Sequence, residues 1–244
     1  VYKRQIPNTE PKAELRMRHS REATIGVKEL KQVLVARDYQ EAITYSFVDP
    51  KSQAALFPDV DGIHLPNPIS ADMSVMRVSL LPGLLQALSY NQNRQQSRVR
   101  LFETGLRFVP DQGADMGIRQ EEVIAGVISG LALPESWDTD GRKCDFYDIK
   151  GDVEALFAKC VQPGNFRFEK ADSDAMKMLH PGQAAAVFNE NKLIGYVGAL
   201  HPKFEKMLGL NGKAYIFELS VAALGEKNIP CLLYTSDAAD DVDC

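Results

Sequence analysis

Two of the four histidines in this chain share a local pattern that bears on acid–base chemistry. His180 and His201 each precede a proline, which biases the backbone away from helix and into a turn or a helix start. An imidazole at such a place can bond the backbone or act as an acid or base on a substrate. Neither histidine has a serine, cysteine or carboxylate at a spacing that specifies a triad. The sequence therefore favours a structural role, with a stand-alone acid/base enzyme as the alternative.

A group of carboxylates could supply oxygen ligands to Mg²⁺. It comprises Asp145, Asp148, Asp152 and Glu154, around a predicted helix start. Carboxylates in a first helical turn ordinarily stabilise the helix dipole, so we expect that role and no metal site. The four cysteines form no C-x-x-C pair and have no histidine at ligand spacing. This pattern argues against zinc and against a disulfide framework, and it favours a reducing cytoplasm.

Glycine-rich motifs for phosphate binding are missing from the sequence. Gly195 and Gly198 lie in a strand-like run without the third glycine and the following helix of a dinucleotide fingerprint, and no G-x-x-x-x-G-K-[ST] motif occurs. We expect the two glycines to admit a close neighbouring strand instead. The sequence therefore predicts no cofactor-binding residue.

Arg94, Arg98 and Arg100, with three neighbouring glutamines, are the best candidates for contact with phosphate or carboxylate groups. The chain as a whole is acidic, since 28 Lys and Arg stand against 33 Asp and Glu for a net charge of −5. That balance argues against a nucleic-acid footprint over the whole domain, but it leaves room for a local patch. An ordinary solvated surface is the simpler interpretation of the three arginines.

The elements that position these residues are predicted from hydrophobic periodicity and turn residues. Helices are expected over about 21–38 with Ser20 as cap, 52–56, 79–96 with a polar far end at 91–96, 147–161 and 201–208, and strands over 42–48, 98–109, 123–129, 166–169, 184–189, 193–199 and 215–219. The last strand is expected to close the sheet. Neighbouring strands joined by hairpin-length connections, with helices interspersed irregularly, predict an α+β fold with an antiparallel sheet flanked by helices.

Length and composition bound the class of protein. With 244 residues, 45% of them hydrophobic and 25% charged, the chain resembles an average globular protein. It contains no apolar run of about 18 residues, so no membrane-spanning helix and no membrane partner are predicted. Residues 231–244 and 1–5 break the pattern and resemble vector-encoded sequence. We expect an extended lead-in over 1–19, one domain over 20–230 and a non-native tail after it.

A series of short motifs then carries a resemblance. In chain order they are TYSFV at 44–48, NPIS at 67–70, MRVSLLPGLL at 76–85, YNQNR at 90–94, RLFETG at 100–105, FYDIKG at 146–151, HPGQA at 180–184 and IGYVGALHP at 194–202. Together they strongly resemble the β subunit family of bacterial phenylalanyl-tRNA synthetase, over roughly residues 6–230.

The resemblance implies a region with the class II synthetase fold that has lost catalysis. In the family this region packs on the catalytic α subunit of an (αβ)₂ enzyme, which joins phenylalanine to tRNA(Phe) with ATP and Mg²⁺. The implied partners are the α subunit, a second αβ pair and tRNA, and the implied cofactors belong to the whole enzyme. The family's metal-binding carboxylates, editing site and anticodon-binding domain have no counterpart here, so the chain is expected to be a fragment.

The loss of catalysis fits individual residues. A class II site needs an arginine two residues before the motif 2 glutamate to hold the ATP α-phosphate. Here Leu101 stands two residues before Glu103. The strand of Gly195 and Gly198 and its following helix lack the motif 3 arginine and offer His201 and Lys203. No catalytic residue is therefore predicted.

The motif 1-like helix and strand, 21–38 and 42–48, are predicted to present an apolar surface to the α subunit. The candidate interface residues are Ile25, Val35, Tyr45 and Phe47. By the same resemblance, the alternative role is contact with tRNA through Arg94, Arg98 and Arg100.

Overall fold

The fold was analysed in a computed structural model that describes residues 25–139, 141–160, 163–170 and 176–225. The helices are α1 (Val27–Ala36), α2 (Pro50–Leu56), α3 (Leu81–Gln92), α4 (Phe146–Phe157), α5 (Pro202–Met207) and α6 (Val221–Gly225). The strands are β1 (Gln40–Glu41), β2 (Phe47–Val48), β3 (Val75–Met76), β4 (Val99–Pro110), β5 (Ile118–Ser129), β6 (Phe166–Lys170), β7 (Leu179–Asn189), β8 (Lys192–Leu200) and β9 (Ala214–Ser220). The predicted lead-in, tail and Ser20 cap lie outside the described residues.

A seven-stranded sheet in the order β1-β4-β5-β9-β8-β7-β6 forms the centre of the described part. Only β1 runs parallel to its neighbour, with Gln40 opposite Leu101, and the other pairs are antiparallel. β2 and β3 form a separate two-stranded sheet. The mixed α+β class and the antiparallel pairing of β4 with β5 are confirmed.

The predicted strand over 42–48 is wrong as a continuous element. Its first part runs on from β1, where the Ala42 N–H donates to the Phe102 carbonyl. The next amide, that of Thr44, donates to the Glu103 carboxylate, which takes the place of a carbonyl on a partner strand. Phe47 and Val48 then pair with β3 in the other sheet. A side chain thus ends the ladder in the middle of a β-prone run.

Several other predicted bounds differ from the structure. Within the described residues α1 begins after Gly26, and it ends at Ala36 because Asp38 has a φ of 63°, which cannot continue a helix. β5 begins at Ile118 rather than 123, since the hairpin pairs along its whole length and Pro110 lies opposite Ile118. β9 does not close the sheet but lies inside it, between β5 and β8.

Two apolar clusters fill the two faces of the sheet. Alternate residues of β5 divide between them, with Ile124 and Ile128 in one cluster and Val123 and Val127 in the other. The first cluster packs α1 and α4 against the sheet, and the second packs α3 with five buried leucines, Leu80, Leu81, Leu84, Leu85 and Leu88. Because both faces are covered, the polar groups inside the sheet need protein partners.

The glycine prediction is confirmed by the spacing of β8 and its neighbours. A Cβ on Gly195 would lie 2.0 Å from the Glu218 carbonyl oxygen, and one on Gly198 would lie 2.7 Å from the Gln183 carbonyl oxygen. No side chain fits at either distance, so the two glycines let β8 approach β9 and β7 closely.

Candidate subunit interface and the buried network behind it

The segment between β1 and β2 displays apolar side chains to solvent. Ile43 is 91% exposed and Tyr45 is 71% exposed. Thr44, between them, points inward to Glu103. An extended backbone alternates its side chains between two faces, so Ile43 and Tyr45 share the outer face. Exposed β-branched and aromatic side chains next to each other are typical of an interaction site.

Thr44 is fixed to the body of the protein through Glu103. Its backbone N–H donates to Glu103 Oε1 at 3.2 Å, and its hydroxyl donates to Oε2 at 2.7 Å. Arg77 Nη1 donates to the same carboxylate at 2.7 Å, and Arg77 Nε donates to the Leu106 carbonyl at 2.9 Å. Glu103 and Arg77 are both buried. The outward residues Ile43 and Tyr45 are therefore held on a rigid support.

The interface residues predicted from the sequence have different exposures. Val35, on α1, is 58% exposed, and Tyr45 is on the outer face described above. Ile25 is partly buried and packs against the first apolar cluster, while Phe47 is partly buried in β2 opposite Met76. Val35 and Tyr45 are thus the more accessible candidates. Ile43 was missed, although its place two residues before Tyr45 in a β-prone run was a usable signal.

Asp152 on α4 is buried and accepts hydrogen bonds from three side chains. Arg37 Nε donates to Oδ1 at 2.5 Å, the Tyr39 hydroxyl donates to Oδ2 at 2.7 Å, and Arg100 Nη2 donates to Oδ2. Burial, followed by the charge of Asp152, raises the pKa of Tyr39 well above its usual value. Since Arg37 and Tyr39 flank the turn between α1 and β1, one carboxylate ties that turn to α4.

The three arginines predicted to form an anion-binding patch do not share one surface. Arg100 is buried against Asp152, so the geometry does not favour its predicted contact with an external phosphate. Arg98 is half-buried and bonds to Asp38 at 3.2 Å and to the Ala132 carbonyl. Of the three, only Arg94 is exposed, with its guanidinium carbon 3.3 Å from the centre of the Tyr90 ring and Nη1 donating to the Tyr90 carbonyl.

The histidines anchor turns, as the sequence favoured. His180 Nδ1 accepts from the Gly182 N–H, and His201 Nδ1 accepts from the Lys203 N–H as the cap of α5, both at 3.1 Å. The two ring centres are 6.4 Å apart. Because a backbone donor occupies each Nδ1, neither histidine presents that nitrogen as a base.

The carboxylates at the start of α4 cap the helix. Asp145 and Asp148 form a reciprocal capping box, and Arg142 bonds to both. The hydrogen bond from Arg142 lowers the pKa of Asp148 below its usual value. Within the described ranges, no group of three or more His, Cys, Asp or Glu side chains is arranged to hold a metal ion. The expected role at the helix dipole is confirmed for Asp145 and Asp148.

A cavity of about 590 Å³ lies beside the outer half of the β4–β5 hairpin. Its walls include Leu56, Met178 and Tyr196, and Arg107 lies at its polar side. Arg107 is already bonded to Glu121 at 2.6 Å and to Glu218 at 2.8 Å. Two carboxylates on one guanidinium oppose the binding of a triphosphate there.

Two places where the resemblance would lead one to expect an arginine carry other residues here. Leu101 is buried in the cluster that packs α3 on the sheet. β8 with α5 contains no arginine, and neither does β9 with α6, the strand–helix unit that lies directly beside β5.

Solved structures define the class of fold. Two structures of pyrrolysyl-tRNA synthetase from Desulfitobacterium hafniense align with TM-scores of 0.57 and 0.58, at 11% sequence identity, over 81% of this chain. The alignments cover 65% and 66% of those chains. The described part of the chain therefore has the fold of class II aminoacyl-tRNA synthetases.

The sequence comparisons identify the family. The chain belongs to the family described as the phenylalanyl tRNA synthetase beta chain CLM domain, whose sequence profile matches residues 6–221. The phenylalanine–tRNA ligase beta subunit of Colwellia psychrerythraea is 56% identical over 225 residues, and that of Pseudoalteromonas translucida is 51% identical over the same length. In both comparisons the match covers 92% of this chain but 28% of the relative. Among the described helices, none has the length and apolar character needed to cross a membrane.

Proposed function

We propose that this chain is the non-catalytic, subunit-binding domain of a phenylalanine–tRNA ligase β chain. In the whole enzyme it supports the attachment of phenylalanine to tRNA(Phe), with ATP and Mg²⁺ bound by other parts. The family match and relatives named as beta subunits support this assignment, because a β subunit works with another chain. The proposed partner is the α subunit of the same ligase, within an (αβ)₂ assembly.

The non-catalytic part of the proposal is supported by the surroundings of Glu103. This glutamate spends both carboxylate oxygens on Thr44 and Arg77, inside the protein. Leu101, where an ATP-binding arginine is required, is buried among apolar side chains. A guanidinium at that position would enter an apolar cluster, and the nearby Glu103 carboxylate is already bonded to Thr44 and Arg77. The site is built for packing rather than for charge development on a phosphate.

The observation that carries the proposal is the rigid apolar pair Ile43 and Tyr45. Complete burial of a large apolar side chain in an interface contributes about 1.5–3 kcal/mol of favourable free energy. Ordering a loop opposes association, but here the backbone of Thr44 is already fixed by the buried Glu103. The pair also adjoins β1, which lies at the edge of the sheet and is only two residues long. Val35 on α1 is a further exposed apolar residue close to β1 in sequence.

The test is association of the full-length β chain with the purified α subunit. The variant is the double substitution Ile43→Glu, Tyr45→Glu. Each charge placed in the interface is expected to weaken the binding free energy by about 2 kcal/mol or more, which raises Kd by about 30-fold per residue. Leu193→Glu is the matched control, since Leu193 is 52% exposed on β8 and three strands separate β8 from β1.

Sedimentation velocity or titration calorimetry measures the affinity, and circular dichroism checks that each variant folds. Wild-type affinity in the double variant would overturn the assignment of this surface. An equal loss in the Leu193→Glu control would show that the effect is not local to it.

A further inference from the structure

A second surface forms where the end of α3 meets the connection between α5 and β9. The Gln92 side chain makes two hydrogen bonds to the Asn211 backbone. Gln92 Nε2 donates to the Asn211 carbonyl at 3.1 Å, and the Asn211 backbone N–H donates to Gln92 Oε1 at 2.8 Å. The Ser89 hydroxyl donates to the Leu208 carbonyl at 3.1 Å. These bonds join residues 119 positions apart, so two segments that are remote in sequence form one continuous end of the molecule.

This end is strongly basic although the whole chain has a net charge of −5. Residues 81–98 and 202–213 contain five cationic side chains, Arg94, Arg98, Lys203, Lys206 and Lys213, and Glu205 as their one acidic side chain. Glu205 accepts a hydrogen bond from the Ala214 amide, and Arg98 is paired with Asp38. Arg94, Lys206 and Lys213 are exposed, and no carboxylate of the described residues lies within ion-pair distance of them.

An exposed aromatic ring lies in the same surface. Tyr90 is 56% exposed, and the Arg94 guanidinium stacks on it. The outer face of a stacked guanidinium is a platform for an unpaired base, and aromatic rings beside cations are typical of proteins that bind single-stranded nucleic acid. An acidic protein partner could pair with the cations, but it has no base to stack on the Arg94 guanidinium. The stack therefore favours RNA as the partner.

We propose that Tyr90, Arg94, Lys206 and Lys213 form a contact site for RNA, named here the basic end, which binds phosphates through its three cations and a base against Arg94. Given the family, the RNA is tRNA. The site differs from the predicted arginine patch, because Arg98 and Arg100 have internal partners and the two lysines come from the other segment. It also uses none of the residues assigned to the α-subunit contact.

The test is binding of a tRNA(Phe) transcript to the complex of full-length β chain with α subunit, measured over a range of salt concentrations. The variant Arg94→Gln, Lys206→Gln, Lys213→Gln is expected to raise Kd at least ten-fold near physiological salt. The slope of log K against log salt is expected to fall by about 2–3, since each lost phosphate contact removes about 0.7–0.9. The control Lys51→Gln, Lys143→Gln, Lys159→Gln removes the same charge from other exposed positions, and its Kd is expected within two-fold of wild type.

The proposal would be overturned if the control weakened tRNA binding as much as the Arg94, Lys206, Lys213 variant does. It would also be overturned if the Arg94, Lys206, Lys213 variant bound tRNA with wild-type affinity. Co-elution of the first variant with the α subunit separates this result from a failure of the subunit-binding proposal. Tyr90→Ala provides a second readout. It is expected to weaken tRNA binding with an unchanged salt slope and to leave heparin binding intact, and equal loss of heparin binding would contradict recognition of RNA.

Discussion

Arg77 Nη1 lies 2.7 Å from Glu103 Oε1, and both side chains are buried. The pair joins the segment before α3 to the middle of β4, and Thr44 completes it with two further bonds. Glu103 thereby positions the segment that displays Ile43 and Tyr45, the surface proposed for the α subunit.

Breaking this pair is expected to be costly. Glu103→Gln leaves the Arg77 charge buried without its counter-ion, and the free energy of unfolding should fall by about 3–5 kcal/mol. Urea denaturation measures the change. The control is Glu41→Gln, which removes the exposed pair with Lys31 and should cost less than about 1 kcal/mol. Similar losses for the two variants would contradict the structural role of Glu103.

Thr44→Val tests whether Thr44 holds the segment that displays Ile43 and Tyr45 in place. The substitution keeps the shape of the side chain but removes the hydroxyl that bonds to Glu103. The free energy of unfolding should therefore fall by about 1–3 kcal/mol. Hydrogen exchange should become faster over residues 42–46 by more than it does in β5, a core strand whose exchange follows only the change in global stability. Unchanged exchange over 42–46 would show that Thr44 does not hold the segment.

Tyr39 gives a pH dependence with a definite sign. Its pKa is raised by burial, so the folded state keeps the phenol proton to higher pH than the unfolded state does. Its contribution to stability is full below the unfolded pKa of about 10 and is lost as pH rises above it, at about 1.4 kcal/mol per pH unit. Denaturation at pH 9 to 11.5 measures the slope. Tyr39→Phe should reduce the slope by this amount and leave the part that comes from Tyr196, whose pKa burial also raises, and an unaltered slope would contradict the prediction.

Cys144 and Cys160 should be chemically silent in the folded protein. Burial raises the pKa of each thiol to about 11, so the reactive thiolate is scarce at pH 8. Alkylation should be about 100-fold slower than for a free thiol, whose pKa is about 8.5. Mass spectrometry of the separate peptides measures each rate, and urea should restore normal reactivity. Rapid labelling of either residue without urea would contradict its burial.

Restoring a motif 2 arginine should not restore catalysis. Leu101→Arg places a charge in the apolar cluster around α3, which should destabilise the fold by about 3–5 kcal/mol. No ATP–pyrophosphate exchange should appear. Leu101→Met, of similar volume, should cost less than about 1.5 kcal/mol. A stable Leu101→Arg protein that forms aminoacyl-adenylate would contradict both the packing argument and the proposed non-catalytic role.

Features that depend on a few neighbouring residues were predictable. Asp145 and Asp148 are three positions apart and form a capping box, because the bonds close within the first turn of α4. Gly209, with a φ of 64°, ends the short helix α5 as its place predicted. The strand-like runs that became β4 and β8 were found from composition and spacing, with ends that moved by one or two residues.

The candidate sites were less predictable, because charge in the sequence does not say where a partner lies. Arg98 and Arg100 were grouped with Arg94 by proximity in the chain. Arg100 instead meets Asp152, 52 positions away, in the interior. The bond between Gln92 and Asn211 joins the segment that carries Lys213 to the end of α3, two residues before Arg94.

The sequence by itself determined the family, the alternation of elements and the starts of α4 and α5, since each depends on residue type or on contacts within one turn. Tertiary structure decided that β9 lies inside the sheet, that the run after β1 ends on Glu103, and which cations remain exposed. The physical reason is that a buried charge is stable only beside a partner, and the chain path that supplies the partner is fixed by packing of the whole sheet.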